Sequence, residues 1–271
     1  MEINTISKGY RSFNEDMVIV IKDHLFGVVD GATSLCEDHH KPSDASFLVK
    51  EIKEEVLHLY QQKKLNPKNF QKRMNGVAYR IYRKFVRGFK DIKEPYQIPN
   101  ATMVFCVIDV CDVHVFSLGD VSSFVRFKNG KVKYISDKSV PLRDQAIAEK
   151  YQDGLGLNNP EKVAEIRQMR NDVYHDRKSH AFTLKIKNNL KFKHYVFDIR
   201  ELIDVYLCSD GYYSAFDTYK IFKSRRALFN QKVDLQDVYK SVVKMSESDS
   251  KMEKYPRIKP IDDISCIRVT F

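Results

Sequence analysis

The sequence lacks any hydrophobic run long enough for a membrane. Apolar stretches such as Met17–Ile21 are far too short to cross a bilayer. Met1-Glu-Ile-Asn shows no basic-then-apolar signal segment, so a cytoplasmic protein is expected. Cysteine is sparse: the five residues, at 36, 106, 111, 208 and 266, form no Cys-x-x-Cys pair, which removes zinc-ribbon and dithiol chemistry. Cys106, Cys208 and Cys266 sit inside apolar runs and are expected to be buried free thiols. The eight histidines contain no His-x-x-x-His, and the adjacent pair His39-His40 is read as surface loop with its rings facing different ways. There is no repeat and no Pro/Gly/Ser-rich linker, so residues 1–271 are expected to form a single domain.

What is present is a foldable chain with a positive balance. A hydrophobic content of 43%, with 17 Phe and 15 Tyr, excludes a disordered protein. Lys and Arg number 46 against 36 Asp and Glu, giving a formal charge of +10 that suggests nucleic acid. The most basic stretch, Lys68–Lys90, has a simpler reading. Phe70, Met74, Val77, Ile81 and Phe85 form a 3.6-residue stripe, while Arg73, Arg80, Arg83, Lys84 and Arg87 fall mostly elsewhere. A solvated helix face is favoured over a phosphate-backbone patch.

Periodicity predicts strands at Met17–Ile21, Leu25–Val29, Met103–Val110, Val113–Leu118, Ser122–Phe127 and Val132–Ile135, with an Asn129-Gly130 hairpin turn between the last two. Later strands are expected at Ala181–Ile186, His194–Ile199, Val205–Ser209 and Ile264–Phe271. Helices are expected over about Ser43–Gln62, Gln145–Tyr151, Glu161–Met169 and Leu235–Ser246, beside the basic one. Strands in runs, joined by tight turns, predict an α+β fold with antiparallel sheets rather than a doubly wound parallel sheet.

The informative residues are acids at strand ends. Glu15-Asp16 precede one strand and Asp30-Gly31 follow the next; Gly119-Asp120 and Asp210-Gly211 end two more, and Asp262-Asp263 precede the last. A lone Asp-Gly after a strand is normally a turn. Several apolar strands with acids at their ends are harder to explain that way, because adjacent strands would gather the carboxylates. Two unit charges about 4 Å apart repel by about 1 kcal/mol even at water's dielectric. A bound cation or raised pKa values must relieve that, and hard oxygen ligands favour Mg²⁺ or Mn²⁺.

In order and spacing, Arg11-Ser-Phe-Asn-Glu15-Asp16, Phe26-Gly-Val-Val-Asp30-Gly31, Leu118-Gly119-Asp120, Leu207-Cys-Ser-Asp210-Gly211 and Asp262-Asp263-Ile264-Ser265 resemble the metal-dependent, type 2C serine/threonine protein phosphatases, in their bacterial form. Ala101-Thr102 before a strand fits the same pattern. The resemblance runs from Lys8 to the C-terminus. It implies a central antiparallel β-sandwich flanked by helix pairs, four layers α-β-β-α, and a water bridging two Mn²⁺ or Mg²⁺ ions as nucleophile on phosphoserine or phosphothreonine. By resemblance Asp30 would bridge the ions, the Gly31 carbonyl would complete one shell, and Asp210 and Asp262 would hold the other ion. Glu15 and Asp16 would act largely through metal-bound waters, Asp120 would help hold a third, weaker ion, and Arg11 would grip substrate phosphate.

The sequence departs from the family at Ala32-Thr33-Ser34, where many members carry His-Gly-Gly, that His being a candidate general acid; Asp263 stands where Asn is common. A flap insertion is expected at about 138–180, made basic by Arg143, Lys150, Arg167, Arg170, Arg177 and Lys178. It either meets the phosphoprotein or is a solvated helical insertion. The expected partner is a phosphorylated protein, with no nucleic acid, no membrane and a monomeric chain. The rivals are a pseudophosphatase that binds phosphoprotein with little turnover, and a nucleic-acid binder supported by charge alone.

Overall fold

Period-two alternation decides the layers. In the strand Leu25–Gly31, Leu25 and Val29 enter one apolar cluster while Phe26 and Val28 enter another on the opposite face. The computed structural model describes residues 1–10, 12–88, 92–137, 139–152, 154–175, 181–186, 189–230 and 232–271. Arg11, and Arg177 and Lys178 of the basic segment, lie outside them. The described strands are β1 (Glu2–Lys8), β2 (Asp16–Ile21), β3 (Leu25–Gly31), β4 (Asn100–Asp109), β5 (Asp112–Leu118), β6 (Ser122–Phe127), β7 (Val132–Ile135), β8 (Phe182–Thr183), β9 (Lys193–Asp198), β10 (Leu202–Cys208) and β11 (Ile264–Thr270). One antiparallel sheet runs β1-β11-β10-β6-β7 and the other β2-β3-β4-β5-β9, with β8 beside β4.

The sheets face each other across Phe26, Val28, Val104, Val115, Val125, Val205, Leu207 and Ile267. Helices α1 (Asp44–Gln61) and α2 (Phe70–Gly88) cover the outer face of the second sheet, and α5 (Asp210–Asp217) and α7 (Leu235–Ser248) that of the first. The arrangement is the expected α-β-β-α stack. Ser43 caps α1, its hydroxyl accepting from the Ser46 amide at 3.1 Å. Two further helices, α3 (Ser139–Lys150) and α4 (Pro160–His175), lie beside the sandwich and share a small cluster of Leu35, Ile147 and Ile166. A short α6 (Arg225–Leu228) precedes α7. Among the described residues, no helix is long and apolar enough to cross a membrane.

The basic helix packs as its pattern predicts: Phe70, Met74, Val77, Ile81 and Phe85 are fully buried. Its outer charges meet the acids of α1, with Arg80 on Glu55 at 2.6 Å and Lys84 on Glu51 at 2.5 Å. The structure differs from the expected pattern in three places. Of Ala181–Ile186 only Phe182–Thr183 is strand, because that segment pairs with two residues of β4. β1 was not expected; its alternate residues are mostly polar, and pairing with β11 along its whole length makes it a strand. Asp210-Gly211, expected at a strand end, opens the first turn of α5.

Truncating Met74 to Ala should cost about 2–5 kcal/mol by urea unfolding, whereas Lys84→Gln, which breaks an exposed ion pair, should change stability by less than about 1 kcal/mol.

Candidate metal centre

Two sheets, not one, gather the acids. Asp16 opens β2 directly opposite Asp30 near the end of β3, and both continue the inward parity of Val18, Phe26 and Val28. Asp210 follows β10, and Asp262 precedes β11 on the neighbouring strand. Those two ends are tied by the Ser209 amide donating to the Ser265 carbonyl and the Ser265 amide to the Ser209 hydroxyl, each at 3.0 Å. A side chain on Gly211 would begin 2.0 Å from the Asp263 carbonyl oxygen, so only glycine lets α5 start there. Asp120 lies in the crossing from β5 in one sheet to β6 in the other, where Gly119 has φ +89°. Adjacent antiparallel strands gather the carboxylates as expected, and in two pairs: β2 and β3 supply one, β10 and β11 the other.

Five of these carboxylates act on one another. Burial first, then Asp210, Asp16, Asp262 and Asp120, push Asp30 well above the ordinary carboxylate range. Burial, then Asp262 and Asp120, do the same to Asp210. Asp16, 3% exposed, is pushed up to about 8 by burial and then by Asp262 and Asp263. Asp120 is also raised, chiefly by burial. One oxygen each of Asp16 and Asp210 is buried without a hydrogen-bond partner. Among the described residues, no three His, Cys, Asp or Glu side chains already close around one common point. The cluster is a spread of coupled hard donors with spare lone pairs. That donor chemistry suits Mg²⁺ or Mn²⁺ shared between carboxylates and water.

Around the cluster, hydroxyls and amides fix the acids that face inward. Glu15 is buried; its Oε2 accepts from the Thr33 hydroxyl at 2.6 Å and its Oε1 from the Ser43 hydroxyl at 2.9 Å. The Glu15 carbonyl accepts from the Gly31 amide at 3.0 Å. Asp263 takes the Tyr10 amide at 3.0 Å and the Glu15 amide at 2.6 Å, clasping both ends of the loop that carries Arg11. From α4, Arg170 donates to the Thr33 carbonyl at 2.8 Å and Arg167 to the Leu35 carbonyl at 3.0 Å. Two arginines of the basic segment, read as either meeting the phosphoprotein or lying on a solvated insertion, are therefore pins for the loop that follows Asp30-Gly31.

Other residues enter the site without a sequence signal. Lys259 places Nζ 2.6 Å from Asp262 Oδ1 and 3.1 Å from the Thr33 hydroxyl. It lies in an irregular stretch beside Pro260, where no periodicity marks a side chain as inward. Asp144 on α3 has an unpartnered buried oxygen, and burial, then Asp120, raises it to about 7. Thr33 and Ser43 read as loop and cap residues. His39 and His40 do not diverge: their Nδ1 atoms meet the two oxygens of Asp44 at 2.9 and 2.8 Å.

No family model and no curated protein matches the sequence. Solved structures do match over nearly the whole chain. One is the Mycobacterium tuberculosis serine/threonine phosphatase PstP/Ppp, 12% identical, with a TM-score of 0.56 and coverage of 100% of this chain and 98% of that one. Another is the serine/threonine phosphatase Stp1 from Staphylococcus aureus, 12% identical, TM-score 0.57, coverage 100% and 94%. The fold is that of the bacterial serine/threonine phosphatases. A third match, the PstP catalytic domain in complex with two manganese ions, is 13% identical, TM-score 0.55, coverage 98% and 96%.

The raised acids fix a pH dependence. A carboxyl whose folded pKa lies above its unfolded value stabilises the fold below about pH 4 and loses that contribution as pH rises through the folded value. For Asp16 that window closes at about pH 8. Chelator-treated protein should therefore melt lower at pH 8 than at pH 5, and Asp16→Asn should flatten the difference in a thermal scan. Replacing Arg170 by Ala, which frees the Thr33 carbonyl, should increase hydrogen exchange across residues 31–35 while leaving α7 unchanged.

Proposed function

We propose that the chain is a metal-dependent protein phosphatase that hydrolyses phosphoserine and phosphothreonine, using two Mn²⁺ or Mg²⁺ ions and a third, weaker ion near Asp120. The observation that carries this reading is the coupled carboxylate cluster, with its unpartnered oxygens on Asp16 and Asp210, at the rim of this particular sandwich. Asp30, Asp210 and Asp262 would hold the cations, with the Gly31 carbonyl completing a shell and Glu15 and Asp16 accepting from bound water. Cations there would supply an acidified water and draw charge from the phosphoryl oxygens.

The protein's own groups do the rest. Asp30, central to the mutual repulsion, orients water for in-line attack on phosphorus. Thr33 and Ser43 hold Glu15 in one rotamer, so its position does not reorganise during the reaction. Asp263 holds the Tyr10 and Glu15 amides, and Arg11 would grip substrate phosphate. A planar fork of donors suits two phosphoryl oxygens. The unpaired cysteines fit a reducing cytoplasm, and the substrate is a phosphorylated protein met by a monomeric chain.

The pseudophosphatase reading is favoured by one observation, Ala32 at the position where many relatives carry the candidate acid. One assay separates the two. Phosphate release from an aryl phosphate should require Mn²⁺ and should fall by at least about a hundredfold in Asp30→Ala. Binding of a phosphopeptide without release, unaltered by Mn²⁺, favours the non-catalytic protein. Turnover that survives both chelation and Asp30→Ala rejects the mechanism.

A further inference from the structure

Lys259 stands in an unusual place for a cation. Its ammonium is within 2.6 Å of Asp262 Oδ1, an oxygen of one of the carboxylates assigned above to a metal ion. The Thr33 hydroxyl, 3.1 Å away, gives it a second contact beside Ala32. Thr33 is itself fixed, its hydroxyl donating to Glu15 and its carbonyl accepting from Arg170. The lysine is therefore seated by a built frame rather than lying loose on the surface, and its side chain is only 22% exposed.

An ammonium and a divalent cation cannot share the same carboxylate lone pair. The ammonium has three donors and a flexible four-carbon stem, so it can leave Asp262 without leaving the site. We propose that Lys259 is a tethered competitor for the cation at Asp262: it occupies that oxygen until a metal ion takes it, and the displaced ammonium then engages a phosphoryl oxygen of the substrate. This rests on the phosphatase reading and deepens it. Metal loading and phosphate binding become linked through one side chain, which weakens the Asp262 ion and strengthens the hold on substrate.

Removing the charge must then move two quantities in opposite directions. Isothermal titration of the metal-free full chain with MnCl₂ alone should show the Mn²⁺ site that includes Asp262 tightened about tenfold in Lys259→Met, as expected for loss of one charge-assisted hydrogen bond to the carboxylate. The KM for a phosphothreonine peptide should rise severalfold in the same variant. Lys259→Gln keeps a donor for Thr33 without the charge and should give the same two shifts, which guards against a folding defect in the Met variant; thermal midpoints in chelator check both. Lys259→Arg should keep the wild-type Mn²⁺ affinity at that site. Unaltered or weaker Mn²⁺ binding in both uncharged variants overturns the competitor role, and an unaltered KM overturns the phosphate contact. A wild-type chain that takes up no Mn²⁺ instead overturns the metal reading on which this inference rests.

Discussion

Five carboxylates held near one another, partly out of water, are the constraint around which the rest of this structure is organised. Asp16, Asp30, Asp120, Asp210 and Asp262 sit where the ends of two sheets meet, and the other four all raise the pKa of Asp30. Such an arrangement is unfavourable by itself, because burial removes the solvent that would screen like charges. It persists because the apolar layer between the sheets, from Phe26 to Ile267, determines where the strand ends lie. The fold thus holds a site that lacks positive charge, and a divalent cation, a proton or an ammonium group can supply it.

The surroundings are built to keep that deficit in place. Hydroxyls from Thr33 and Ser43 satisfy Glu15, and the amides of Tyr10 and Glu15 satisfy Asp263, so the flanking acids are fixed by neutral donors. Arg167 and Arg170 approach the same loop but spend their donors on backbone carbonyls. Among the described residues, Lys259 reaches a cluster carboxylate directly. Elsewhere the positive excess is handled locally, as where Arg80 and Lys84 on α2 meet Glu55 and Glu51 on α1. Exposed pairs of this kind contribute little to stability, but they neutralise part of the charge on the most basic helix.

The strands and helices with strong periodicity were legible in the residues. The stripe from Phe70 to Phe85 is buried as its spacing requires, and Ser122–Phe127 and Val132–Ile135 have the bounds their alternation predicts. β1 was not legible, since Glu2–Lys8 becomes a strand through pairing with β11 at the far end of the chain. Nor was the start of α5: Asp-Gly reads locally as a turn, and only the close approach of Asp263 to Gly211 shows why a glycine opens a helix there. His39 and His40 misled for a similar reason. Adjacent side chains diverge in regular structure, but in this loop both turn to Asp44.

The sequence by itself determined the class of fold, the buried faces and the acids at the strand ends, because these follow from local periodicity and residue type. Tertiary structure alone decided that the acids come from two sheets and that Asp263 clasps the Tyr10–Glu15 loop. It also decided that Arg167 and Arg170 pin the loop after Gly31 and that Lys259 reaches Thr33. Each of these is a contact between segments far apart in the chain, with Lys259 and Thr33 separated by 226 positions. No local pattern encodes such a meeting. It follows from the register of two sheets and the packing between them.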